Sequence, residues 1–176
     1  PDARINTDFE HDSRSVSVLL LLDLSESLND IVEATNQTIL ELSQEAVSLL
    51  AWSMEQLGDN FAIAGFNSNT REQVMYYHIK GYSEHWDDTV KARLANLKAE
   101  YSTRMGAAIR HGSHYLDLQK SDKKLMLILT DGEPSDVDVK DSEMLIKDTH
   151  KAVQECQQKG MYPYCISLDN RADNYI

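Results

Sequence analysis

Val16-Ser17-Val18-Leu19-Leu20-Leu21-Leu22-Asp23 decides the fold, because it is a nearly continuous apolar run that ends abruptly on a carboxylate. A strand with one wet face alternates apolar and polar residues, whereas an unbroken run belongs to a strand covered on both faces, at the centre of a parallel sheet. Downstream, Ile39, Leu42, Ala46, Leu49, Leu50, Met54 and Leu57 recur at three- and four-residue steps, which predicts a helix stopped by Gly58. Residues 61–66 and 74–79 read as strands joined by Asn67-Ser68-Asn69-Thr70, a link short enough to make them antiparallel neighbours. Val90, Leu94 and Leu97 mark a short helix, and Met105, Ile109, Gly112 and Leu116 a longer one. A buried strand over 124–129, a helix over 144–158 and a last strand over 162–168 complete the pattern. Strands alternating with crossover helices define an α/β fold, doubly wound, with a mostly parallel central sheet, one antiparallel edge strand and helices on both faces.

The chain has 176 residues, 17 Lys+Arg and 29 Asp+Glu, for a formal charge of −12 and a pI near 4.8. That length suits one domain. Residues 1–15 are polar and acid-rich, with Ile5 and Phe9 as their large apolar residues, and read as a linker; 16–176 form the domain, expected to be the C-terminal part of a longer protein. An acidic surface repels phosphate backbones and anionic lipid, so nucleic acid and membrane are excluded as partners. The longest apolar run, 18–22, is far below the roughly 18–20 residues that a spanning helix needs. Cys156 and Cys165 read as buried, unbridged thiols of a reducing compartment, and a cytoplasmic location is expected.

In open α/β sheets, ligands bind outside the carboxyl ends of the strands, where strand order reverses. After the first strand comes Asp23-Leu24-Ser25-Glu26-Ser27; after the later one comes Thr130-Asp131-Gly132; and Ser102-Thr103-Arg104-Met105-Gly106 opens a helix. Asp-x-Ser-x-Ser alone is accounted for by turn and helix-cap chemistry. Three such loops at one edge instead bring together two carboxylates, Asp23 and Asp131, and three hydroxyls, Ser25, Ser27 and Thr103. Hard oxygen donors without His or Cys suit Mg²⁺, with Ca²⁺ or Mn²⁺ as substitutes. Neutral hydroxyls leave such an ion no more than neutralised, with a position open to water or an incoming carboxylate.

These motifs resemble the metal-ion-dependent adhesion site of von Willebrand factor A domains, and the likeness runs through nearly all of residues 16–168. The resemblance implies that Ser25, Ser27 and Thr103 ligate Mg²⁺ directly while Asp23 and Asp131 mostly hold its waters. It also implies that a Glu or Asp of a partner protein completes the octahedron. Glu26 stands where many members carry Gly, and Tyr101-Ser102 where many have a Gly pair. More narrowly, residues 19–30, 102–111 and 129–136 are similar to the A domains of the CbbO and NorD families, adaptors of hexameric MoxR-type AAA+ ATPases. The CbbO branch, favoured on residues 38–47, implies a Rubisco activase: the adaptor grips inhibited Rubisco and a CbbQ-like ATPase remodels it. The NorD branch implies maturation of nitric oxide reductase. In both, the domain catalyses nothing itself.

A competing reading makes Asp23 the nucleophile of a Mg²⁺-dependent phosphohydrolase, but that motif needs Asp-x-Asp and position 25 is Ser. An EF-hand counted from Asp23 needs Gly at 28 and Glu at 34, and finds Leu28 and Ala34. A surface adhesion domain is a third reading, disfavoured by the lack of a disulfide framework. His111 and His114, three apart on a helix, have the spacing of a chelating pair, yet zinc sites use three or four ligands and a surface or packing role is favoured. Glu133, Asp136, Asp138 and Asp141 are either solvated loop charges or steer a basic partner. Tyr76 and Tyr77 suit strand packing, residues 82–86 a contact surface, and Arg104 either an acidic neighbour or a partner.

Overall fold

The structure, a computed structural model, describes residues 15–70, 73–131 and 142–168. The strands are β1 (Val16–Asp23), β2 (Ile31–Val32), β3 (Gln37–Thr38), β4 (Asn60–Thr70), β5 (Gln73–Lys80), β6 (Lys123–Thr130) and β7 (Tyr162–Ser167). The helices are α1 (Ile39–Leu57), α2 (Asp88–Ala95), α3 (Met105–Asp117) and α4 (Ser142–Gln158). Five strands form one sheet in the order β5-β4-β1-β6-β7. β1 runs parallel to both neighbours, β6 parallel to β7, and β5 antiparallel to β4 at one edge, as the sequence pattern predicts.

The apolar run of β1 feeds two cores by simple alternation. Val18, Leu20 and Leu22 point to one face, where they meet Val47, Ala51 and Met54 of α1 and Leu94 of α2. Leu19 and Leu21 point to the other, against Met105, Ala108, Ile109 and Leu116 of α3 and Ala152 and Cys156 of α4. Leu20 and Leu21 are fully buried, and each such leucine contributes about 1.5–3 kcal/mol of hydrophobic stabilisation. α1 begins where the Thr38 hydroxyl accepts the Glu41 N–H at 3.1 Å, and it ends where Gly58 takes φ 72° and its N–H returns to the carbonyls of the last turn.

Several expectations change. Asn67-Ser68-Asn69-Thr70 is not a link but the end of β4, paired with β5 as far as Thr70↔Gln73. These polar residues stay in the strand because their backbone groups find partners: Ser68 also exchanges hydrogen bonds with Ser102, at 2.9 and 3.0 Å. Between β1 and α1 lie a single 3₁₀ turn, Glu26–Asn29, and the β2–β3 hairpin, both too short to leave a periodic signal. Cys156 is buried with its Sγ 3.7 Å from Met161 Sδ, but Cys165 is exposed on β7; both are free thiols. Tyr82 and Trp86, read as contact surface, each turn partly into a core. Of the linker, Ser15 alone is described, tied to β6 by N–H donors of Asp122 and Lys123, each at 3.1 Å. Glu133, Asp136, Asp138 and Asp141 lie outside the described residues. Among the described residues, no helix is long and apolar enough to cross a membrane.

β5 and α3 meet through rings. Tyr76 and Tyr115 stack at 5.8 Å, His78 and His111 meet Tyr115 edge-on at 5.1 and 5.2 Å, and His114 does so at 5.8 Å. Partial burial, and the charges that His78 and His114 acquire on protonation, push the His111 imidazole below its ordinary range. A histidine depressed in the folded state binds its proton more readily when unfolded, so its contribution is intact above about pH 6.5 and fades as pH falls below it. Urea unfolding at pH 7.5 and pH 5.5 is expected to show a loss of stability at the lower pH that shrinks in His111→Gln.

Candidate metal centre

Parallel pairing sets the site. Because β1 and β6 run side by side with Leu22 opposite Leu129, Asp23 and Thr130 emerge next to each other at the carboxyl edge of the sheet. The chain goes from β1 outward to β4 and β5, then crosses to β6 on the other side, so this edge is the point where strand order reverses. Thr103, two residues before the start of α3, reaches the same place.

Asp23 is the hub, 1% exposed. Its Oδ1 accepts the Ser25 N–H at 2.9 Å and the Thr103 hydroxyl at 3.0 Å, and its Oδ2 accepts the Thr130 hydroxyl at 2.9 Å. Burial pushes the Asp23 carboxyl above its ordinary range; the Ser25 and Thr130 donors oppose that rise, and the charge of Asp131 adds to it. A carboxylate desolvated beside a second one is the setting in which a bound cation most lowers the energy of the charged form. Ser25 is buried and Ser27 exposed, and their hydroxyl oxygens lie 3.1 Å apart. The two hydroxyls are hydrogen-bonded to each other, and two oxygens coordinated at right angles to Mg²⁺, each about 2.1 Å from it, would be a similar distance of about 3.0 Å apart. The donor set fits the ion that the sequence suggested. Asp131 follows β6, half-buried.

Leu24 pins the loop. It is buried in the core on the α1 side, its N–H donates to Phe66 O at 2.9 Å, and its carbonyl accepts Glu100 N–H at 2.8 Å. Gly65 makes room for it, since a Cβ there would run into the Leu24 side chain. The strap to Thr103 is tied from the other side by Glu26 N–H to Tyr101 O at 2.9 Å. Tyr101 sits at φ 65°, a left-handed conformation that costs a non-glycine residue about 1–2 kcal/mol, and this is the position where the resemblance places a glycine.

Of the five residues singled out in the sequence, Asp23, Ser25, Ser27 and Thr103 are brought together by hydrogen bonds, and Asp131 follows Thr130 at the same edge of the sheet. Thr130 was missed as a site residue; the register of a strand ending beside Asp23 is the signal that could have found it. Among the described residues, no group of three or more His, Cys, Asp or Glu side chains is placed to hold a metal, so His111 and His114 form no such centre.

A mostly parallel sheet covered by helices, with carboxylate and hydroxyl oxygens gathered at its carboxyl edge, defines the class of fold. The profile of the von Willebrand factor type A domain matches residues 17–175, and the chain belongs to that family. Relatives include Protein NorD of Stutzerimonas stutzeri, 34% identical over 163 residues, and Protein NorD of Brucella abortus (strain 2308), 35% identical over 164 residues. Each alignment covers 93% of this chain but 26% of the relative, so the chain spans about a quarter of those proteins. An uncharacterized protein of Pseudomonas aeruginosa is 36% identical over the same share. Similar solved structures include a point mutant of the PilB minor pilin of Streptococcus sanguinis, with TM-score 0.70 and 14% identity over 92% of this chain and 52% of that one. The pilus adhesin SpaC of Lactobacillus rhamnosus GG gives TM-score 0.66 and 16% identity over 88% of this chain and 24% of that one. At such identities the likeness is one of fold.

Thr130→Val keeps shape but removes the donor to Asp23 Oδ2. With divalent ions absent, it is expected to cost about 1–3 kcal/mol in urea unfolding, the penalty for a buried acceptor left without its partner.

Proposed function

We propose that this chain is the Mg²⁺-dependent protein-binding domain of an adaptor and has no catalytic activity of its own. One observation carries the reading: Asp23, Ser25 and Thr103 are gathered by hydrogen bonds at a sheet edge where Ser27 opens to solvent. In the bound state Mg²⁺ supplies a Lewis-acidic position for one oxygen of an aspartate or glutamate on the client. Ser25, Ser27 and Thr103 provide neutral oxygens, so the ion's charge is not exhausted within the domain. Asp23 and Asp131 orient water and balance what charge remains. A site of neutral hydroxyls and one foreign carboxylate holds firmly and still releases, which suits a clamp that lets go of its client.

The NorD relatives favour the NorD-type setting, for which the sequence resemblance implies a whole protein that assists maturation of nitric oxide reductase. The CbbO-type setting, with Rubisco as client, rests on the sequence similarity of residues 38–47. A hexameric MoxR-type AAA+ ATPase is the working partner in both, and a cytoplasmic location accords with the two free thiols. Nucleophilic attack by Asp23 on a phosphate ester is disfavoured, because both its oxygens are buried and already accept hydrogen bonds.

Client capture should be measured with wild type, Asp23→Ala and Ser25→Ala, each with Mg²⁺ and with chelator. Wild type is expected to lose at least about tenfold in affinity on chelation, the scale of losing a metal-linked contact. The variants are expected to bind weakly under both conditions. Capture indifferent to chelator and to Asp23→Ala would remove the metal from recognition, and phosphate-ester turnover lost in Asp23→Asn would favour the enzyme reading.

A further inference from the structure

α1 and α2 lie side by side and leave a groove of about 580 Å³, lined by Glu41, Gln44, Glu45 and Leu49 of α1 and Lys91 and Leu94 of α2. Gln44 closes its floor by donating to the carbonyls of Leu94 and Ala95, at 2.9 and 3.4 Å. Two properties of this groove are unusual. The first is apolar exposure on a helix whose opposite face is core: Leu49, which lines the groove, is 69% exposed, and Trp52, three residues further along the same side of α1 and outside the groove lining, is 58% exposed. The second is unbalanced charge. Glu45 accepts from the Gln37 side-chain amide at 2.8 Å and Glu41 from the Thr38 hydroxyl at 3.3 Å. Among the described residues neither forms an ion pair, and the groove sets these two carboxylates against one cation, Lys91, itself 4.0 Å from the exposed Asp88. Glu41, Glu45, Leu49 and Trp52 thus make one stripe, with two carboxylates a helical turn apart followed by two apolar side chains.

The geometry points to this groove as a docking site for an amphipathic helix of a partner protein, with apolar anchors over Leu49 and Trp52 and Lys or Arg residues one turn apart opposite Glu45 and Glu41. The charge pattern selects that occupant. An acidic or neutral helix would cover two carboxylates with Lys91 as their single counter-charge in the groove, which costs desolvation that a basic helix recovers. A basic helix pairs them, is steered by the −12 charge of the chain, and fits the helix-in-groove mode, whose anchors recur every three or four residues. Tryptophan is among the side chains that most often dominate binding energy once buried.

The test uses the chain in chelator, so that its outcome is independent of the metal reading. The probes are a synthetic helical peptide with leucines on one face and lysines on the other, and the same peptide with glutamates for lysines. Calorimetry gives affinity. Emission of Trp52, isolated by difference against Trp52→Phe, reports burial of the α1 surface that continues the groove. The lysine peptide is expected to bind and shift Trp52 emission to the blue. Its affinity should fall at least tenfold in Glu41→Gln/Glu45→Gln and in Leu49→Ser, with circular dichroism confirming that each variant folds. Glutamine at position 41 keeps an acceptor next to the helix cap. Equal binding of the glutamate peptide, or unchanged affinity in both variants, overturns the proposal. So does concentration-dependent self-association of the wild type that Glu41→Gln/Glu45→Gln removes. That result would make the occupant a second copy, whose α4 presents Met144, Lys147 and Lys151 on one exposed face.

Discussion

Asp23 is a carboxylate taken out of water, and the rest of the site follows from what that demands. An ionised group in that position is tolerated only with donors on its oxygens. It draws them from three separate parts of the chain: Ser25 N–H from its own loop, the Thr103 hydroxyl from the strap before α3, and the Thr130 hydroxyl from the end of β6. One buried acid therefore knots together loops that are up to 107 residues apart in sequence. Leu24 beneath it and Gly65 beneath Leu24 fix its height over the sheet. The strap over 99–103 is laced to the first loop by backbone bonds at Leu24 and Glu26 as well, and the carboxylate adds the tie that brings Thr103 to its end.

Much of this is legible in the sequence. The unbroken run before Asp23 announces a strand covered on both faces, and the two cores divide its side chains by parity as such a run requires. The α1 stripe and its glycine stop are equally plain, because 19 residues give periodicity room to show. Asn67, Ser68, Asn69 and Thr70 mislead, since turn-type residues here continue a strand, with β5 on one side and the Ser102 bridge on the other. Their reading depends on Ser102, far away in the chain, which local composition cannot disclose. Thr130 was missed for a related reason: a threonine ending a β-strand looks like ordinary strand chemistry until the register sets it beside Asp23. Cys165 and Tyr82 show the limit from the other side, as their exposure is decided by which neighbours cover an edge, not by residue type.

Family membership and site chemistry address different questions. The match over residues 17–175 accounts for the architecture, and pilus proteins at 14–16% identity share it. The chemistry of this chain is carried by particular side chains: the Asp23 cluster at the sheet edge, Tyr101 with its left-handed backbone, and the Glu41–Trp52 stripe of α1. Tyr101 holds a left-handed backbone because Glu26 N–H anchors its carbonyl and the Ser68–Ser102 bridge follows directly after it.

The place of β1 also has a mechanical meaning. Its residues are hydrogen-bonded to β4 on one side, from Ser17 to Asp23, and to β6 on the other, from Val16 to Leu22. A molecule tugging on the loop that follows Asp23 pulls along the axis of a strand gripped on both flanks. Both ladders are then strained in shear, all their bonds resisting at once, where a strand at the rim would be peeled away one bond at a time. A handle mounted there transmits force to the whole sheet before any of it comes undone.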